Sequence, residues 1–384
     1  MTERLYYDNA YLTEFDAHVT DVRPGGWIAL DRSAFYPTSG GQPFDTGTLN
    51  GAAITDVEVT EGIVWHQADR AFATGEAVHG VSDWPRRFEH MQQHAADHML
   101  AGAAWELYGG VTIGLHLGKE DSTIDMDLPG GRAHLTQAEM DELETLVNRR
   151  VQQDDPIRCW FPNEEELKKL PLRKRPTVSE HVRVVAMGDY EMVACGGTHP
   201  STTGQIGPIK IISSTPARGK MRLCFVSGMR AIKYLQKAAQ CAAQVSQALS
   251  AGFDTALDAL QKEREAAQAL RREMNLRLTQ AALQTLRAGK QGSVYAGHLE
   301  FADHETLLHA AAALTKEPGA IVLLSCPHKA SRMLVFARGA EAKIDMSALM
   351  RACGGRGGGK PDMAKGSAAD ETVLEKAVGE VMIR

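Results

Sequence analysis

No apolar run in this 384-residue chain is long enough to cross a bilayer, which excludes a helical membrane span. The opening residues, Met1-Thr2-Glu3-Arg4-Leu5, lack the apolar segment of a secretory signal, so a cytoplasmic protein is expected. Cysteine is scarce. Its six copies are scattered, which argues against a disulfide framework and leaves any special Cys as a ligand or nucleophile. An excess of positive charge is also missing. Lys and Arg number 42 against 48 Asp and Glu, a net charge of −6, so a nucleic-acid partner would have to be met by a local basic face. Acidic residues, in turn, are absent from 205 to 237. That stretch holds Lys210, Arg218, Lys220, Arg222, Arg230, Lys233 and Lys237, and a second basic cluster runs through Lys168, Lys169, Arg173, Lys174 and Arg175. Such clusters bind polyphosphates or simply solvate a surface.

What is present has the composition of an ordinary globular protein, 43% hydrophobic and 23% charged, and the length of two or three domains. The first 80 residues read as strands. Asn50-Gly51 and Glu61-Gly62 are hairpin signals between Val/Ile/Thr-rich runs, so a small antiparallel barrel is expected over 1–80. Ser82-Asp83 offers an N-cap and Pro85 a first turn for a helix that Gly109-Gly110 ends. Thr136 with Glu139, and Asn163 with Glu166, open two more. Strands are predicted at 112–117, 122–127, 181–187, 206–213 and 221–226, giving a second α+β region over 81–228. From 229 to 288 Leu257, Leu260, Leu270, Met274 and Leu278 recur at helical spacing, and Ser250-Ala251-Gly252 breaks the run. Two helices forming an arm are expected there. Residues 289–384 read as an α/β unit with strands at 321–325 and 333–337, a Gly-rich loop at 354–359 and a terminal helix.

Three segments carry chemistry. His90, His94 and His98 are spaced by four and share one helix face, where two such imidazoles can hold one zinc ion. Spacing alone allows either His90/His94 or His94/His98. Cys195-Gly196-Gly197-Thr198-His199-Pro200 places a thiol and an imidazole on a tight wrap, completing a Cys/His set suited to zinc. The third segment, Phe35-Tyr36-Pro37-Thr38-Ser39-Gly40-Gly41-Gln42-Pro43, exposes backbone N–H groups to a close ligand. A zinc peptidase would need a Glu in an HExxH motif, and Gln92 and Gln93 stand near His94 instead.

Together, in their order along the chain, these segments resemble the alanyl-tRNA editing family, which comprises the editing domain of alanyl-tRNA synthetase and its free-standing AlaX relatives. Gly354-Gly355-Arg356-Gly357-Gly358-Gly359-Lys360-Pro361-Asp362-Met363-Ala364 resembles the signature of the DHHA1 domain that the long AlaX form carries. The resemblance implies one zinc per chain, held by His94, His98, Cys195 and His199. It implies a substrate site at Ser33, Ser39, Gly40, Gly41 and Gln42, with Ser33 standing where the family has a Thr linked to the substrate's hydroxyl. A further departure is Glu191, where the family commonly has Asp. The implied activity is zinc-dependent hydrolysis of serine, or glycine, from misacylated tRNA(Ala). Candidate tRNA contacts are Lys210, Arg218, Lys220, Arg222, Arg356 and Lys360, and homodimerisation through the C-terminal region is expected. The catalytic group is not identified beyond a zinc-activated water. Four protein ligands form a closed shell, so a non-catalytic tRNA-binding protein with a structural zinc stays open as the alternative.

Overall fold

A computed structural model of the chain describes residues 1–176 and 181–383. The chain divides into two compact units, Met1–Ala242 and Ala243–Arg384. The mixed α+β class is borne out. None of the described helices is long and apolar enough to cross a membrane.

In the first unit, strands Glu14–Arg23, Trp27–Leu30, Gly47–Leu49, Ala52–Thr60, Ile63–Ala68 and Ala77–Ser82 close into a barrel. Their period-2 alternation sends Phe15, Ala17, Val19, Ile54, Val57 and Val78 inward to one apolar core. The 25-residue helix Trp84–Tyr108 follows directly. Asp83 caps it by accepting from the Arg86 N–H, a Pro lies in its first turn, and Gly109 ends it in the left-handed conformation. Its residues 90 to 104 are wholly buried. One side packs into a second core with Met126, Leu143, Val147, Leu223 and Phe225.

Two sheets flank this helix. One runs Ile209–Ala217, Lys220–Ser227, Ser122–Asp127, Val111–Leu117, and the other Ile157–Trp160, Val184–Met187, Glu191–Ala194. The helices at Gln137–Gln152 and Glu164–Lys169 open with the capping boxes read from Thr136/Glu139 and Asn163/Glu166. The barrel and the metal-ligand segments, separated at residue 80 by their local patterns, belong to one compact unit. Arg87 explains part of this. Its guanidinium is fully buried, pairs with the equally buried Asp45, and donates to the carbonyls of Ala10 and Ala34. The helix is thereby tied to three barrel-side segments.

The helical stretch is interrupted where Ser250 takes a positive φ of 49°, between helices Gly228–Ala248 and Ala256–Ala288. Of the 33 residues in the latter, only Asn275, Ala282 and Leu286 are buried, and Leu257 and Leu270 are 74% and 68% exposed. In the second unit a five-stranded sheet has the order Val294–His298, Ile321–His328, Ser331–Arg338, Met363–Ala368, Arg356–Lys360. The expected Gly-rich loop is therefore partly a strand: Arg356–Lys360 pairs antiparallel with Met363–Ala368 at the edge of the sheet. The glycines conceal a strand because they carry no side chains with which to show alternation.

Candidate metal centre

The long helix supplies two ligands and the turn after strand Glu191–Ala194 supplies two. Donor atoms of His94, His98, Cys195 and His199 all lie within 4.8 Å of one another. The Nε2 atoms of His94 and His199 each stand 3.4 Å from the Cys195 Sγ. A tetrahedral zinc site with ordinary bond lengths places its nitrogen and sulfur roughly 3.6 Å apart. His90, four residues before His94, is not part of the cluster, so the helix presents the His94/His98 pair of the two that spacing allows.

Polar atoms left without partners test whether a metal fits. Among the described residues both ring nitrogens of His98 and Nδ1 of His199 are buried with no hydrogen-bond partner. A neutral imidazole carries one lone pair and one N–H, so a cation at the centre would satisfy one nitrogen of His98, a group whose unpaired burial costs about 1–3 kcal/mol. Burial holds all three rings neutral, pulling His94 down to about 4 and His98 and His199 well below the usual range. Neutral imidazole is the form that ligates a cation. Burial also pushes the Cys195 thiol up to about 12, against a Gly197 N–H that donates to its sulfur and draws it down. A cation at the centre would reverse that preference, because coordination deprotonates a thiol. The donor set fits zinc.

Second contacts hold the ligands in place. Gln42, buried from end to end, accepts at Oε1 from the His94 Nδ1 at 2.8 Å and from the Thr198 N–H at 3.2 Å. Its Nε2 donates to the Thr198 hydroxyl at 2.8 Å. This network fixes the His94 tautomer and leaves Nε2 free to ligate. Gly197 is required by close approach, since a Cβ there would lie 2.2 Å from the His94 Cε1. Arg183 donates to the carbonyls of Cys195 and Gly197 and shapes the turn from below.

The cluster opens on a cavity of about 300 Å³. Ser39 and Gly40 form part of its wall, with Tyr36, Asp97, Thr112 and Arg173. Burial pushes the Asp97 carboxyl up to about 7, with Arg173 opposing. Arg173 is gripped by both oxygens of the buried Glu191 and donates to the Thr112 hydroxyl at 3.3 Å. Thr112, Asp97 and Arg173 were not selected from the sequence as pocket residues. Thr112 and Asp97 carried no signal, and Arg173 stood out only as one cation of a cluster.

Other expected residues are placed elsewhere. Gly41 takes a φ of 86° and packs against the backbone of Leu115, while Gln42 stands behind His94. Ser33 is not in the cavity wall. It is fully buried and bonds to the His66 Nε2 at 2.8 Å, because alternation after exposed Arg32 turns it inward. Lys210, Lys220 and Arg222 each pair with a carboxylate, from Glu144, Asp127 and Asp125 respectively. Arg218 is exposed at the turn between the two strands, and Arg356 and Lys360 are exposed on the edge strand.

Parts of this chain match known proteins. Residues 182–223 match the threonyl and alanyl tRNA synthetase second additional domain, residues 6–86 the class II (A) tRNA synthetases, and residues 292–382 the DHHA1 domain. The alanine–tRNA ligase of Pyrococcus abyssi is 29% identical over 409 residues, covering 99% of this chain and 43% of that protein. Those of Thermococcus kodakarensis and Methanoregula boonei are 30% and 32% identical, covering 99% and 98% of this chain and 43% of each relative. The chain thus spans less than half the length of these relatives. Among solved structures, the C-Ala domain of Aquifex aeolicus alanyl-tRNA synthetase matches 23% of this chain and 86% of that one, at 22% identity and a TM-score of 0.22.

Proposed function

We propose that this chain, whose segments match the threonyl and alanyl tRNA synthetase second additional domain and the DHHA1 domain, is an alanyl-tRNA editing protein that hydrolyses serine, or glycine, from misacylated tRNA(Ala). The observation that carries the reading is the His94/His98/Cys195/His199 cluster at the wall of a cavity with hydroxyl and cationic groups. Zinc is the metal that this set suits, one ion per chain. When bound, zinc supplies Lewis acidity toward an ester carbonyl and acidifies water. The protein's own part is selection and orientation. Thr112 accepts from Arg173, which leaves its O–H free to donate to a substrate hydroxyl. A polar wall of this kind, once a bound substrate shuts it off from water, penalises a substrate that lacks the hydroxyl, as alanine does. Arg173, fixed by Glu191, offers donors to developing negative charge without reorganising. The second unit engages the tRNA body through the exposed edge that carries Arg356 and Lys360, or a second copy of the chain through its other surfaces.

The deciding experiment follows release of serine, glycine and alanine from separately charged tRNA(Ala), with and without a chelator. Serine should leave fastest, and chelation or Cys195→Ala should abolish release together with bound zinc. Tight tRNA binding with no hydrolysis in zinc-loaded protein would overturn the enzyme reading in favour of a tRNA-binding protein with a structural zinc.

A further inference from the structure

On the other side of the Cys195–Gly196 turn lies a second cavity, of about 380 Å³. It shares Lys174, Val193, Ala194, Cys195 and Gly196 with the metal-side cavity, so the two meet along one short wall. Its remaining character is different. Arg4, Arg175 and Arg183 line it with Lys174, and among the described residues no carboxylate does. Tyr7 and Phe161 form an aromatic corner, their ring centroids 5.6 Å apart and 72° inclined, with Phe161 48% exposed. Arg183 lies 5.2 Å from the Tyr7 centroid. It is 94% buried, being 6% exposed, and its Nε has no partner among the described residues.

An exposed aromatic ring, Phe161, beside cations that no carboxylate among the described residues neutralises is suited to recognise a base and a phosphate together. We propose that this cavity binds the nucleotide that precedes the acylated terminal adenosine of the tRNA, stacking its base at Phe161 and Tyr7. The phosphate joining the two nucleotides would meet Arg4 and Lys174. This assignment rests on the deacylase reading for the ligand's identity. It explains why the cation cluster around Arg173–Arg175 adjoins the metal centre: Arg173 faces the ester, Lys174 the shared wall, and Arg175 the nucleotide. It also gives the enzyme a grip on every tRNA 3′ end, which ends in cytidine and adenosine.

The test compares two small esters, seryl-adenosine and the seryl ester of cytidylyl-adenosine. In the wild type the dinucleotide ester should show a KM lower by about tenfold, the scale of one stacked base. Phe161→Ala and Arg4→Gln should erase that difference while leaving the KM and kcat for seryl-adenosine as they were. Both side chains line the second cavity and not the metal-side one. An unchanged ratio between the esters, or an equal rise in KM for both, overturns the assignment. If the wild type hydrolyses neither ester, the deacylase reading fails instead. Fluorescence titration with uncharged cytidylyl-adenosine then decides the cavity alone: weaker binding by Phe161→Ala supports it, and equal binding refutes it. Phe161 is half exposed, so its truncation leaves the core packing intact.

Discussion

Gln42→Ala isolates the support beneath the metal centre. The side chain touches no proposed ligand except His94, yet its removal strands three buried groups: the His94 Nδ1–H, the Thr198 N–H and the Thr198 hydroxyl. At about 1–3 kcal/mol for each unsatisfied group, with neighbours not additive, a loss of about 3–5 kcal/mol of folding stability is expected. Metal affinity should fall separately. Without its partner the His94 ring can rotate or change tautomer, and losses of about 10–100-fold follow removal of such second contacts. Gln42→Glu keeps an acceptor for the His94 Nδ1 but loses the donor to Thr198, so it should retain zinc better than Gln42→Ala. Competition against a chromogenic chelator measures affinity, and urea unfolding of the metal-free protein measures stability. Folded Gln42→Ala with wild-type zinc affinity would refute the claim that this amide orients His94.

Asp45→Ala should cost about 3–5 kcal/mol, because it leaves the Arg87 guanidinium charged and buried, and chemical denaturation should show it without loss of zinc from the protein that remains folded. Ser33→Ala should cost about 1–3 kcal/mol through the exposed need of His66, and should leave the ratio of serine to alanine release unchanged; a changed ratio would return Ser33 to the substrate site. Burial pulls the His66 pKa from 6.5 to about 4. As pH falls below 6.5 the unfolded chain takes up this proton and the barrel does not, so stability is full above that value and declines until about pH 4. The decline is about 3 kcal/mol, and a His66→Asn variant compared by denaturation at pH 7 and pH 4.5 should lack that share of it.

The candidate metal cluster was legible in part: two four-residue spacings reveal themselves without tertiary knowledge, while the choice of His94/His98 over His90/His94 came from the family resemblance. What stood behind it was not. Gln42 sits in a motif whose glycines suggest a substrate loop, but its use depends on a ring 52 residues away. The burial of Ser33 against His66 was hidden for the same reason, since which face of the short strand Arg32–Ser33 it occupies is settled by pairing with Glu3–Arg4. The acid-free stretch at 205–237 looked like a free basic surface. Four of its seven charges, Lys210, Lys220, Arg222 and Arg230, are met from distant sequence, and Asp125 lies directly opposite Arg222 in the sheet. Helix capping was read correctly at Asp83, Thr136 and Asn163, because a cap is decided within four residues.

The edge strand Arg356–Lys360 has a consequence for solubility. A sheet edge offers a row of unsatisfied backbone groups on which another chain can add itself. Here that row consists of three glycines between two cations, all exposed. Glycine resists being held extended, and it offers an incoming strand no side chain to pack on. Arg356 and Lys360 then act as gatekeepers by repelling a like-charged copy in register. A polyanion would neutralise those two charges and find a backbone it can reach closely. The edge is therefore guarded against further copies of itself in the same way that it is left open to phosphate.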